Sequence, residues 1–173
     1  MSAKHDTARH IFLTGEIQVG KSTSIRQFLA ETGVLADGFT SRVIPANGRR
    51  ELYISQFDSR RGMPERRLAA TVGHPGARAF LDVFDGYGTD IINSSGKYGL
   101  VIMDELGSLE ENALSFKAAV IEKLNGPVRV LGVIKKTESA FLDSVRKRAD
   151  VAIITVTPEN RDDLPAALRG IFT

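Results

Sequence analysis

Cysteine is absent from this chain of 173 residues. That excludes a disulfide framework and any thiolate site, catalytic or metal-binding. Histidine is scarce. His5, His10 and His74 stand at no ligand spacing, so a structural zinc site is not expected. No apolar run approaches the roughly 18 residues of a membrane-spanning helix. The opening MSAKHDTARH is polar and has no apolar centre, unlike a secretory signal. Residues 1–9 are therefore expected to form a flexible N-terminus, and a cytoplasmic location is expected. Excess charge of one sign is also missing, since 23 Lys and Arg face 21 Asp and Glu. Basic residues gather in short clusters: Arg49-Arg50, Arg60-Arg61, Arg66-Arg67, Lys135-Lys136 and Arg146-Lys147-Arg148. These read as solvated loops and helix faces. No aromatic-rich basic stripe accompanies them, so a nucleic-acid partner is not indicated. Internal repeats and low-complexity segments are lacking too.

What is present is an ordinary globular composition, 42% hydrophobic and 25% charged. The length suits one domain spanning 1–173 with a real core. HIFLT (10–14) is a short apolar run that ends at Gly15 and reads as a buried strand. Ile25, Phe28 and Leu29 then recur at helical spacing, which predicts a helix from about Lys21 to Glu31 with Gly33 as its stop. Two alternating segments around ANG predict an antiparallel β-hairpin near 38–57. Residues 58–79 are rich in Arg, Gly and Pro and read as loop, with RLAATV as a candidate short strand. ARAFLDVF (77–84) fits strand or helix equally. Tyr87 to Ser95 reads as helix. YGLVIMDE, VRVLGVIK and VAIITVT each look like a strand covered on both faces. Amphipathic stretches at Leu109–Leu124 and Ser139–Arg148 separate them. Strands alternating with helices in this way predict an α/β fold with a mostly parallel central sheet flanked by helices.

Residues Gly15 to Ser22 read GEIQVGKS, which fits G-x-x-x-x-G-K-[ST]. The chemistry needs each part. Glycines let the backbone curl so that its N–H groups face inward. The helix that follows turns its positive end toward phosphate. Lys21 is the candidate catalytic cation for the β- and γ-phosphates, and Ser22 the candidate hydroxyl ligand of Mg²⁺. Glu16, Ile17, Gln18, Val19, Gly20 and Thr23 complete the candidate nucleotide-binding loop with Gly15. The competing reading is a glycine-rich turn with a surface lysine. By chance the pattern arises in roughly one chain of this length in two hundred, given Gly at about 7%. It falls here between a predicted strand and a predicted helix, as a phosphate loop requires.

A phosphate loop needs an acid at the end of another strand. GLVIMDELG supplies Asp104, the candidate second metal ligand, with Glu105 beside it as candidate general base for an attacking water. A helix-cap carboxylate is the alternative for Asp104, and an ion-pair partner the alternative for Glu105. Glu110 reads as structural. Arg42, Arg60 and Arg61 are arginine-finger candidates, each with a solvated loop position as the default. Lys135 ends a predicted strand on the edge where ligands bind in parallel sheets. Asn160 and Arg161 follow the last strand on that edge and are candidates for the base and ribose. Alternatively, Asn160 and Asp162 cap a helix starting near Leu164.

These segments, taken in order, resemble the THEP1-type nucleoside-triphosphatases, in particular their shorter bacterial branch. The resemblance rests on IFLTGEIQVGKST (11–23), DGFTSRV (37–43), FDSRRG (57–62), VIMDELGSLE (101–110), VLGVIKK (130–136) and VTPENRDDLP (156–165). Members often carry Pro-Gly-Val before the Gly-Lys pair, where this chain has Ile17-Gln18-Val19 at unchanged loop length. The match is thinnest over 63–97. The resemblance implies a P-loop fold, Mg²⁺ dependence, and hydrolysis of ATP, GTP and other nucleoside triphosphates with loose base preference. Two other functions use the same loop. One is a nucleotide or nucleoside kinase; the other is a slow-turnover nucleotide-binding accessory module.

Overall fold

The computed structural model describes residues 8–46, 48–61, 65–74 and 76–173. Eight strands form one sheet in the order β5-β4-β3-β2-β6-β7-β1-β8. The strands are β1 His10–Gly15, β2 Asp37–Ala46, β3 Arg49–Asp58, β4 Arg66–Gly73, β5 Gly76–Ala79, β6 Leu100–Leu106, β7 Arg129–Ile134 and β8 Val151–Val156. The helices are α1 Lys21–Thr32, α2 Thr89–Ser94, α3 Leu114–Asn125, α4 Ala140–Arg146 and α5 Leu164–Phe172. Strands β6, β7, β1 and β8 run parallel, as expected, and β2 joins them alongside β6, which was not.

The apolar strands are near-continuous because both faces of the sheet are covered. Along β1, Ile11 and Leu13 pack with Ile25 and Phe28 of α1 and with Leu164 and Leu168 of α5. Phe12 points the other way, toward a core that holds Phe39, Met103, Phe116, Val120 and Leu142. In that second core Phe116 meets Phe39 and Phe84 edge-on, each with ring centroids 5.6 Å apart. Such pairs add about 0.5–1.5 kcal/mol beyond burial.

The hairpin over 38–57 is present, and its first strand does two jobs. β2 pairs antiparallel with β3 along its whole length, from Asp37↔Asp58 to Ala46↔Arg49. Its first four residues also pair parallel with β6, from Asp37↔Val101 to Thr40↔Asp104. Gly38 makes this possible. Its φ is +136°, and a Cβ there would lie 2.0 Å from the Ile102 carbonyl oxygen. Past Thr40, β2 overhangs the carboxyl end of β6. β4 and β5 continue the antiparallel arm outward.

Three segments differ from the sequence expectation. Within 58–79, read as loop, β4 takes up the candidate strand RLAATV and β5, an edge strand, takes up the start of ARAFLDVF. The helical run around Tyr87–Ser95 begins earlier, at Leu81, and passes through a π-helical stretch, Phe84–Gly88. There Gly88 lies against Phe116, 2.9 Å from where its Cβ would be, a close approach that periodicity does not reveal. The helix expected from Leu109 begins at Leu114. The Glu111 and Ala113 amides donate to the Ser108 and Glu110 carbonyls, so residues 108–113 form turns.

Residues 1–7 of the N-terminus expected to be flexible lie outside the described residues. Ala8 is buried, and the Arg9 amide donates to the Asp150 carbonyl at 3.0 Å. Next to it, His10 is fully buried. Its Nδ1 accepts from the Val130 amide at 3.2 Å, and its Nε2 lies 3.1 Å from the Leu124 carbonyl. The Val130 N–H can only donate, so the ring is the neutral Nε2–H tautomer. Burial holds the imidazole below its ordinary pKa, against the opposing pull of Asp150. The folded state therefore binds fewer protons than the unfolded state just below pH 6.5. His10 contributes stability that is fully present above about pH 6.5 and declines as pH falls toward its lowered folded pKa. Urea midpoints of the parent and His10→Gln, compared between pH 7.5 and 5, are expected to converge toward acid. Parallel curves would exclude this role.

Candidate functional site

The carboxyl ends of β1, β6 and β7 open into a cleft of about 600 Å³. The phosphate loop forms one wall. Gly15 ends β1 at φ +145°, and a Cβ on it would stand 2.5 Å from the Val156 carbonyl oxygen of β8. Only glycine lets the loop leave the strand there. Val19 is buried and anchors the loop, while Glu16, Ile17 and Gln18 are exposed. Gly20 precedes α1, so Lys21, Ser22 and Thr23 occupy the first helical turn and border the cleft.

Lys21 is 9% exposed, and its ammonium donates to the carbonyls of Gly15 at 3.0 Å and Glu16 at 2.7 Å. The loop's own backbone thus holds its cation at the cleft floor. Ser22 Oγ donates to Asp104 Oδ1 at 2.8 Å, joining α1 to β6 across 82 positions of sequence. Asp104 is 7% exposed. Burial pushes its carboxyl up to about 6, against the Ser22 hydrogen bond and with the Glu105 charge adding to the rise. A buried carboxylate short of counter-charge beside a hydroxyl suits a hard dication. Mg²⁺ typically takes one or two protein oxygens and completes its shell with phosphate and water. Among the described residues no cluster of three or more Asp, Glu, His or Cys offers a full protein cage. The donors present therefore fit Mg²⁺ carried with a phosphate ligand.

Glu105 reaches the same cleft because β6 is irregular at that point. Asp104 pairs with Val133 and Leu106 with Ile134, so Glu105 is an extra residue on β6. A bulge re-aims side chains that would otherwise alternate across the sheet. Glu105 Oε1 lies 3.2 Å from the Lys135 ammonium, and its amide donates to Ser41 Oγ at 3.4 Å. Ser41, Val43 and Leu52 from the β2–β3 overhang close the far wall. Sequence reading did not single out these three. Their only signal was alternation in a hairpin whose overhang was not apparent. Lys136 pairs with Glu16 at 2.6 Å on the cleft rim.

The remaining candidates lie elsewhere. Asn160 engages its own turn: Nδ2 donates to the Thr155 carbonyl at 2.9 Å and Oδ1 accepts from the Thr157 amide at 2.9 Å. The N-cap of α5 is Asp163, with no side-chain cap bond, so neither Asn160 nor Asp162 caps that helix. Arg161 sits beside the loop. Its carbonyl accepts from Ser24 Oγ at 3.4 Å, and its stem passes 3.6 Å from a Cβ position on Gly20. Neither Asn160 nor Arg161 lines the cleft. Arg42 is exposed on β2. Arg60 lies over Tyr98, and Arg61 pairs with Asp58 at 3.7 Å. Asp58 is level with Asp37 and Val101, so both arginines sit at the amino edge of the parallel sheet, opposite Asp104. Glu110 is buried, and its Oε1 accepts from the Gly107 amide at 2.5 Å, which shapes the turn after β6. No helix among the described residues is long and apolar enough to cross a membrane.

A family model described as "NTPase" matches residues 10–168. The human cancer-related nucleoside-triphosphatase is 33% identical over 178 residues, covering 91% of this chain and 93% of its own. Nucleoside-triphosphatase THEP1 of Natranaerobius thermophilus is 28% identical, covering 94% and 95%. Among solved structures, THEP1 from Aquifex aeolicus superimposes with a TM-score of 0.77 at 20% identity, over 95% of this chain and 99% of that one. That likeness shows a shared fold. The match to the family model over nearly the whole chain settles membership: this chain belongs to the THEP1-type nucleoside-triphosphatase family.

Proposed function

We propose that this chain hydrolyses nucleoside triphosphates, ATP and GTP among them with loose base preference, to the diphosphate and free phosphate. One observation carries the reading: the 2.8 Å bond from Ser22 to Asp104 ties the phosphate loop to the acidic strand that also bears Glu105. Lys21, Ser22, Asp104 and Glu105 all line one cleft, which supports reading them as cation, metal-ligand pair and base.

Gly15 to Thr23 wrap the triphosphate, and Lys21 turns from the Gly15 and Glu16 carbonyls to the β- and γ-phosphate oxygens. Ser22 and Asp104 would hold Mg²⁺, which would supply positive charge to the phosphates when bound. Glu105 orients a water and takes its proton as the oxygen attacks the γ-phosphorus. The bond from that phosphorus to the bridging oxygen breaks, and the electron pair leaves with the diphosphate. Arg161, beside Gly20, is the candidate for contact with the ribose or base. Asn160 serves it indirectly by fixing the turn.

We take 1–173 as one domain, because β1 from the start of the chain lies between β7 and β8 from its end. A cytoplasmic setting follows from the nucleotide substrates proposed.

The test is an assay with Mg²⁺ and each of ATP, GTP, CTP and UTP, following phosphate with and without nucleosides. Phosphate release that needs no acceptor is expected for several bases. Release appearing only as a phosphorylated nucleoside would make the chain a kinase. Tight binding with negligible release would make it an accessory module.

A further inference from the structure

Among the described residues two charged groups of the cleft have no role in the mechanism above, Lys135 and Lys136; Lys136 is taken up by Glu16 on the rim, whereas Lys135 reaches Glu105. Lys135 follows β7, the strand between the phosphate-loop strand and the acidic strand. Val133 is level with both Leu13 and Asp104. Two residues later the chain stands one strand spacing, about 4.8 Å, from the start of the loop on one side and from the acid pair on the other. A lysine stem spans that distance in either direction.

The backbone of Lys135 is fixed. Its amide donates to the Leu106 carbonyl at 2.9 Å, and its own carbonyl accepts from the Arg146 guanidinium. Its stem lies on Gly107, where an added Cβ would meet Cδ at 3.1 Å. The ammonium, by contrast, is at the free end of a side chain 38% exposed, 3.2 Å from Glu105. Among the described residues no arginine lines the cleft. The charge that builds on a transferring phosphoryl group therefore has no arginine partner there.

We propose that Lys135 is a second catalytic cation that exchanges between Glu105 and the γ-phosphate. Without nucleotide it neutralises Glu105. When the triphosphate enters, its γ-oxygens draw the ammonium away. That step uncovers the Glu105 carboxylate oxygen that the ammonium occupied and places positive charge on the reacting phosphoryl group. When phosphate departs, the ammonium returns to Glu105. A diphosphate has no group in that position, so Lys135 also discriminates triphosphate from diphosphate.

This inference rests on the hydrolase reading, and its test separates the two. Affinities for a non-hydrolysable triphosphate analogue and for the diphosphate are measured on the parent, Lys135→Met and Lys135→Arg, beside kcat. Lys135→Met is expected to lose about tenfold or more in triphosphate affinity, as for a lost charge-assisted contact. Its diphosphate affinity is expected to stay unchanged, and kcat to fall about 100-fold. Lys135→Arg should recover part of both. An unchanged preference for triphosphate over diphosphate in Lys135→Met would overturn the proposal, and so would a rise in kcat. Either would leave Lys135 as a restraint on Glu105 alone. If the parent releases no phosphate, the hydrolase reading falls, while the triphosphate preference still reports on Lys135.

Discussion

Glu105→Gln is expected to bind nucleoside triphosphate at least as tightly as the parent while releasing phosphate at least about 100-fold more slowly. The size follows from the task, since general-base assistance is worth about 10²- to 10⁴-fold. The selectivity follows from the geometry. Glu105 contacts Lys135 and Ser41, not the phosphate loop, so amidation leaves Lys21, Ser22 and Asp104 in place. Gln also keeps the size of Glu and one acceptor oxygen, and the side chain is partly exposed. Direct binding of a labelled triphosphate, with single-turnover phosphate release, measures both halves. A variant that hydrolyses at the parent rate would remove Glu105 from the mechanism.

Lys21→Ala should act at the other step. Nine-tenths of the Lys21 residue is buried, and its ammonium already sits on the Gly15 and Glu16 carbonyls at the cleft floor. Removing it takes away a charge-assisted contact to two phosphates and leaves those carbonyls without that partner. Charged hydrogen bonds contribute about 1.5–3 kcal/mol each. Two of them correspond to a fall in triphosphate affinity of roughly 100-fold or more. The predicted pattern is therefore opposite to that of Glu105→Gln: affinity collapses. A titration of labelled triphosphate into the variant, with a thermal melt to confirm folding, checks it. Binding within a few-fold of the parent would assign phosphate recognition to other groups.

How much of this was legible before any coordinates depends on the kind of signal. The β1–loop–α1 unit was plain because Gly15 and Gly20 are demanded by backbone geometry, and Ile25 and Phe28 by the core. Asp104 was legible because it ends a run of residues buried on both faces. The cleft's far wall was not. Reading 38–57 as an added hairpin hides that β2 is itself a strand of the parallel sheet. Once β2 runs parallel to β6, β3 must return toward the amino edge, and Arg60 and Arg61 are carried away from Asp104. β5 was half legible: ARAFLDVF fits strand or helix equally, and its first residues become a strand by pairing with β4 at the edge while the rest turns helical at Leu81. Asn160 shows the limit of residue type as a signal. A cap and a turn both favour asparagine, and only the bonds to Thr155 and Thr157 separate them.

The central claim is that water attacks the γ-phosphorus in the cleft shared by Lys21, Ser22, Asp104 and Glu105. It is tested most directly by turnover of Mg-ATP in ¹⁸O-water without any added acceptor, with mass analysis of both products. The account predicts a single solvent oxygen in each phosphate released and none in the diphosphate. Solvent oxygen in the diphosphate, or diphosphate formed without free phosphate, would contradict it.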